Sequence, residues 1–185
     1  MERGRTDVLL LLLMGIILLL MVAIFGLFLR MNQLQREVLV ALESMRQAQQ
    51  PFGLPLGIKA PSFTLPDLSG QSVSIEAFSG RKVLLVFASP RCPACQDMYP
   101  HLKAFAGKHP EVAVVMVSMG TEDENRQMVQ GEGFEFPVLR GDEGVVAAYR
   151  VPGTPFFYLI GEDGIIARAG FASTLEQLEA LAGVK

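Results

Sequence analysis

Tryptophan is absent, and cysteine and histidine occur only twice each among the 185 residues. So few candidate ligands argue against a metal centre. A zinc site usually takes four protein ligands and would have to use Cys92, Cys95, His101 and His109 together. The histidines fall on or after a single helical stretch and form no second pair at ligand spacing, so no metal is expected. Both read as surface or helix-packing residues rather than catalytic bases. Excess positive charge is also missing: the net charge is −3, with no basic stripe or basic aromatic cluster. Nucleic acid is therefore not an expected partner. Internal repeats and low-complexity tracts are absent outside one long apolar run.

That run extends from Val8 to Leu29, 22 residues without a charge. A helix of that length spans roughly 33 Å at about 1.5 Å per residue, enough to cross a hydrocarbon core of about 30 Å. A cleaved signal peptide would have a shorter apolar region ending in small residues, whereas this run leads into FLRMNQLQRE. An uncleaved transmembrane anchor over 8–29 is expected, after a short tail over 1–7, with the lipid bilayer as its partner. Gly15 and Gly26 are too far apart for a GxxxG dimerisation pair. Arg3 and Arg5 precede the span, and Arg30, Arg36 and Arg46 follow it. Taken alone, the positive-inside rule leans against an external C-terminal domain.

Residues 30–54 are read as a helical stalk and linker. Met31, Leu34, Val38, Leu42 and Met45 recur at helical spacing. The three prolines and two glycines of PFGLPLGIKAPSF then break the helix. Residues 55–185 have the size of one domain. There, KVLLVFAS and EVAVVMVSMG read as strands buried on both faces. Short strands are expected at 63–65, 72–75 and 136–139, and two more in PFFYLIGEDGIIARAGF, joined at Glu162-Asp163-Gly164. Helices are expected from Pro93, kinked by Pro100, after Thr121 as a cap, in DEGVVAAYRV, and after Ser173 as a cap with Glu176 three residues on. Alternating strands and helices imply an α/β fold with a mixed sheet and helices on both faces.

Cys92 then follows directly from a buried strand and opens a helix. Pro93 occupies a favoured first helical position. The positive end of the helix dipole lowers the thiol pKa of Cys92 and makes it a nucleophile. Cys95, one turn further in, is placed to close a disulfide and act as the resolving partner. A purely structural bridge over so short a loop would stabilise little, and two inert buried thiols do not suit the strand–Cys–Pro–x–Cys–helix context. In VPGTPFFYLI, the Thr154–Pro155 bond precedes a strand and is a candidate cis peptide. Backbone there could pair with an extended substrate, which makes Thr154 and Pro155 candidate substrate-binding residues. A trans proline opening an edge strand is the alternative.

With these features in place, the chain resembles the thioredoxin superfamily, and within it the membrane-anchored proteins of the TlpA/ResA type. The motifs are GIKAPSFTLPDLSGQSVSI, KVLLVFASPRCPAC and YRVPGTPFFYLIGEDGII, covering about 57–185. FASPRCPAC and AGFASTLEQLEAL are further similar to the MauD family of methylamine-utilisation accessory proteins, implicated in disulfide formation. The resemblance implies a thioredoxin-like sheet, Cys92 as attacking and Cys95 as resolving cysteine, and Pro155 as a cis proline facing them. It implies a thiol–disulfide oxidoreductase outside the cytoplasmic membrane, in the periplasm or at the cell exterior. Its partners would be a client protein with cysteines and a membrane or periplasmic redox partner. No bound cofactor is needed, because the dithiol carries the electrons.

Three departures bear on direction. Arg91 stands where the family commonly has Trp, and should favour the Cys92 thiolate electrostatically. Met98 stands where cytochrome c-maturation reductases often carry an acid. Cys-Pro-Ala-Cys matches neither thioredoxin nor DsbA. Disulfide formation or isomerisation is therefore favoured over reduction of apocytochrome or other client disulfides. Two further alternatives remain: a tethered client-binding module, and a thiol peroxidase, for which Ser89 could stand for the Thr of the peroxiredoxin pattern Pro-x-x-x-Thr-x-x-Cys but Leu85 sits where its Pro belongs.

Overall fold

The computed structural model describes residues 52–184, together with Met21, Gly26, Phe28, Arg30, Met31 and Gln35, which are helical and exposed. The expected anchor over 8–29 and the stalk from 30 onward fall almost wholly outside the described residues. Among the described residues no helix is long and apolar enough to cross a membrane. The chain divides into two compact units, Met1–Gln50 and Pro51–Lys185.

The second unit is a mixed five-stranded sheet with helices on both faces. Its strands are β3 (Lys82–Ala88), β4 (Val112–Ser118), β5 (Val138–Arg140), β6 (Phe156–Ile160) and β7 (Ile166–Gly170), in the order β5-β4-β3-β6-β7. β4 runs parallel to β3 and β5, and β6 antiparallel to β3 and β7. A small antiparallel pair, β1 (Thr64–Pro66) with β2 (Ser72–Ser74), precedes them. The helices are α1 (Pro93–Lys108), α2 (Glu122–Glu132), α3 (Glu143–Ala148) and α4 (Leu175–Ala182).

β3 shows why the two central strands lack alternation. Successive side chains point to opposite faces, and both faces are covered. Leu84, Val86 and Ala88 enter one core cluster with Cys95, Met98, Leu102 and Leu178. Val83, Leu85 and Phe87 enter the other with Tyr149, Tyr158 and Ile166. α1 runs unbroken through Pro100.

Three local expectations are corrected. The 72–75 strand ends at Ser74, and Ile75 opens a 3-10 turn, Ile75–Phe78, that turns its side chain into the core. β5 begins two residues later than expected, after Pro137, whose carbonyl accepts the Met116 amide. The last helix is capped by Thr174 rather than Ser173: the Thr174 hydroxyl accepts from the Gln177 amide, while the Ser173 amide and hydroxyl both donate to the Gln177 side chain. By contrast Thr121 caps α2 in a full capping box with Glu124.

The last residue assigned to the linker, Leu54, lies in the core, only 6% exposed. Its amide donates to Tyr158 Oη at 2.9 Å, and that hydroxyl in turn donates to the Tyr149 carbonyl. Gly53 makes this approach possible: its φ is +91°, and a Cβ there would lie 2.1 Å from Tyr158 Oη. A Gly53→Ala change should destabilise the domain by roughly 2–3 kcal/mol, combining overpacking with an unfavourable φ. Gly57, with φ +81° and open space around it, carries only the backbone cost, about 1 kcal/mol. Chemical denaturation of the two variants should separate them in that order.

Candidate active site

β3 ends at Ala88, and the chain reverses through Ser89-Pro90-Arg91 into α1. The Cys92 amide donates to the Ser89 carbonyl at 3.1 Å, and the Gln96 side chain donates to the Pro90 carbonyl at 2.7 Å. These bonds fix the loop between strand and helix. Cys92 is the N-cap of α1 in extended conformation (φ −93°, ψ 114°), with Pro93 as the first helical residue. The Cys95 and Gln96 amides both donate to the Cys92 carbonyl, at 3.0 and 3.1 Å. The Cys92 sulfur therefore stands over the first turn of α1, where unpaired amides concentrate positive potential.

The two thiols are free and unequal. Cys92 is partly exposed, whereas Cys95 is fully buried beneath it. Burial pushes the Cys92 thiol up. Hydrogen bonds from the Thr154 and Cys95 side chains and from the Cys95 and Ala94 amides outweigh that and hold it below its ordinary value. Cys95 is pushed up to about 11, chiefly by burial. Alkylation of the reduced protein should accordingly show two midpoints. Cys92 should react below the ordinary thiol range, about 8.5, and Cys95 only near pH 11. Mass spectrometry across a pH series reads this as one modification at neutral pH and a second in strong alkali.

Across from the thiols, the Thr154–Pro155 bond is cis. The Cys92 thiol donates to the Thr154 carbonyl at 3.3 Å. β6 starts immediately afterwards, with Phe156 paired to Phe87 of β3, so this backbone stands at the end of the sheet where β3 delivers Cys92. Phe171, half-exposed at the end of β7, packs edge-on against Phe156 at 5.0 Å and against exposed Phe52 at 5.7 Å.

Of the six residues singled out from the sequence, Cys92, Pro93, Cys95, Thr154 and Pro155 converge here. Arg91 does not join them. Its side chain is 70% exposed and pairs with Glu124 at 3.4 Å. Glu124 is held there by its place in the α2 capping box. His109 is buried at the end of α1, 3.1 Å from Glu179 of α4, with its ring tilted against Phe105 at 5.0 Å.

The structure adds residues that sequence reasoning missed. Tyr99 lies beneath the cysteines and donates to the Ser89 carbonyl at 3.3 Å. Its signal was available in the buried stripe Cys95, Met98, Tyr99, Leu102, Phe105 at helical spacing. Ser118 and Asn125 are both fully buried and bonded to each other at 2.7 Å, and the Asn125 amide group donates to the Gly120 carbonyl. They tie the end of β4 to α2 behind the cysteine loop, where the Met119 amide donates to the Ala88 carbonyl.

Comparison with known proteins agrees with this geometry. The model of the AhpC/TSA family matches residues 56–169. The methylamine utilization protein MauD of Paracoccus versutus is 34% identical over 131 residues, 70% of this chain and 65% of that relative. The chain thus spans about two thirds of that relative's length. The thiol-disulfide oxidoreductase ResA of Halalkalibacterium halodurans is 29% identical over 127 residues, 66% of this chain and 72% of its own. A solved structure of a secreted Mycobacterium tuberculosis disulfide oxidoreductase homologous to E. coli DsbE is 25% identical with a TM-score of 0.58. The match covers 65% of this chain and 94% of that one. On the family match, on these relatives and on its mixed sheet with a cysteine pair at the head of α1, the chain belongs to the AhpC/TSA family and has a thioredoxin-like fold.

Proposed function

We propose that this protein is an enzyme that exchanges thiols and disulfides on client proteins, with Cys92 as nucleophile and Cys95 as resolving cysteine. One observation carries the reading: a partly exposed thiol with a depressed pKa stands directly over a buried thiol with a raised one. Cys92 attacks as the thiolate, a mixed disulfide forms, and Cys95 displaces the client. The Thr154–Pro155 backbone, within 3.3 Å of the Cys92 sulfur, offers an extended client segment main-chain pairing. The exposed apolar edge of Phe171 and Phe52 beside it suits an apolar residue near the client cysteine.

Disulfide formation or isomerisation during maturation of an exported protein is the favoured role, supported by the likeness to MauD. The ResA and DsbE-like relatives support a second role, reduction of client disulfides such as those of an apocytochrome. Met98, fully buried where such reductases carry an acid, favours the first. Thiol peroxidase activity is disfavoured because Leu85 is fully buried in mid-β3, where the peroxidase pattern needs a proline. Purified protein first oxidised to the Cys92–Cys95 disulfide should pass that disulfide mole for mole to a reduced, unfolded client, becoming the dithiol itself, and should not consume peroxide steadily with a thiol donor. Steady consumption would replace the exchange reading by the peroxidase one.

The domain is proposed to work outside the cytoplasmic membrane, tethered by residues 8–29. Tethering raises the local concentration near exported clients and a membrane redox partner. A surface cysteine engineered into the domain should react with an impermeant reagent in intact cells; protection until lysis would place the domain inside.

A further inference from the structure

Release of the client from the mixed disulfide requires the buried cysteine to lose a proton. Cys95 is fully buried on the face of the sheet that α1 covers. The described core offers it no carboxylate: its buried polar side chains are His109, Ser118 and Asn125, with the hydroxyls of Tyr99, Tyr149 and Tyr158. His109 follows the far end of α1, about 20 Å along the helix at 1.5 Å per residue. Ser118 and Asn125 are engaged with each other. Tyr149 and Tyr158 belong to the opposite core face. Tyr99 alone of these hydroxyl residues shares the cluster of Cys95.

Tyr99 lies one helical turn after Cys95. Helical side chains lean toward the N-terminus, so the ring of Tyr99 covers the turn that bears Cys95. Its hydroxyl ends on the Ser89 carbonyl, which also accepts the Cys92 amide. The Cys92 amide and the phenol therefore converge on one carbonyl, and the Cys95 amide in turn donates to the Cys92 carbonyl. Because the Cys92 amide already satisfies the Ser89 carbonyl, the hydroxyl can turn away without leaving that oxygen unpaired. Burial, then the nearby Cys95 and Cys92, push the phenol pKa up, so it remains a donor at physiological pH.

We propose that Tyr99 is a positioning residue for the resolving step, its hydroxyl turning from the Ser89 carbonyl to the Cys95 sulfur and donating to the thiolate as it forms. The proposal rests on the exchange function above. In that step the Cys95 sulfur attacks the Cys92 sulfur of the mixed disulfide. The Cys92–client bond breaks, the Cys92–Cys95 bond forms, and the proton given up by Cys95 ends on the departing client thiol. The protein dithiol is oxidised and the client disulfide reduced, two electrons each way. In the reverse direction the same hydroxyl steadies Cys95 as the leaving thiolate.

The test uses the purified full chain with oxidised glutathione as the client. Reduced protein is mixed with it, quenched in acid and weighed over time, which follows formation and decay of the Cys92–glutathione adduct. Tyr99→Phe keeps the ring and its edge contact with Phe134 but removes the hydroxyl. The adduct should live about tenfold longer at neutral pH, as expected for loss of a hydrogen bond to a charged group. The resolution profile should move to higher pH, with adduct formation at Cys92 unchanged. Loss of packing alone would not move the profile while sparing formation. Fluorinated tyrosine at position 99, a stronger donor of nearly the same shape, should move the profile to lower pH, and it decides the matter if Tyr99→Phe does not fold. Identical lifetimes and profiles across these proteins would overturn the proposal and leave the exchange function standing. A wild-type adduct that never resolves would overturn both.

Discussion

Replacing Cys92 by Ser should abolish exchange with client disulfides, by at least about 10³-fold, as removal of a nucleophile does elsewhere. Cys95→Ser should act in the opposite sense on the intermediate. It leaves the attacking thiolate in place and removes the group that displaces the client, so covalent complexes should accumulate. The asymmetry comes from burial: Cys92 is accessible to a client, whereas Cys95 is fully buried and can be reached only by the neighbouring sulfur. Non-reducing gels after acid quenching should show client adducts with Cys95→Ser, none with Cys92→Ser, and few with the parent chain. The experiment also separates an enzyme from a tethered binding module. A domain that merely held its client would support maturation with either variant; full maturation with both would discard the exchange mechanism.

The site's centre was legible in the sequence because it is local. A buried strand, Cys92, Pro93 and a helix are contiguous, and their order alone puts a thiol at a helix N-terminus. The capping box of α2 was legible for the same reason, since Thr121 and Glu124 are three residues apart. The Thr154–Pro155 backbone lies 62 residues from Cys92 in the chain; its residues suggested substrate pairing, and the family resemblance implied that Pro155 faces the cysteines. What escaped was long-range or a matter of competition. Arg91 is adjacent to Cys92 in sequence, so proximity suggested that its charge would act on the thiol. The fold also supplies Glu124 from α2 as a partner for Arg91, which the local sequence did not reveal, and an exposed ion pair of this kind contributes little. The composition of residues 51–63 suggests a linker, yet Leu54 enters the core cluster of Tyr158, 104 residues away, whose hydroxyl accepts its amide. Ser173 and Thr174 are both competent caps. The choice fell to Thr174 because the Gln177 side chain engages Ser173.

The reduction potential of the Cys92–Cys95 couple should lie above that of thioredoxin, about −270 mV, and near the range of about −120 to −180 mV occupied by protein disulfide isomerase and DsbA. The argument runs through the reduced state. Hydrogen bonds from Thr154, Cys95 and the first-turn amides favour the Cys92 thiolate, and they act only once the disulfide is open. Whatever stabilises the dithiol form makes the disulfide a stronger oxidant, and each tenfold gain raises the potential by about 30 mV. Cys95 does not cancel this near neutral pH. With its thiol pushed up to about 11, it stays protonated in the reduced protein and adds no second charge. The sign with pH follows: as pH falls through the Cys92 pKa, the thiolate advantage is lost and the gap to an ordinary dithiol narrows. Equilibration of the full chain in graded thiol/disulfide buffers, read by alkylation and mass, measures the value. A result in the expected range supports disulfide formation or isomerisation on exported clients. A result near −270 mV or below would mean that the burial cost at Cys92 outweighs its hydrogen bonds. The chain would then be a reductant recharged through the membrane.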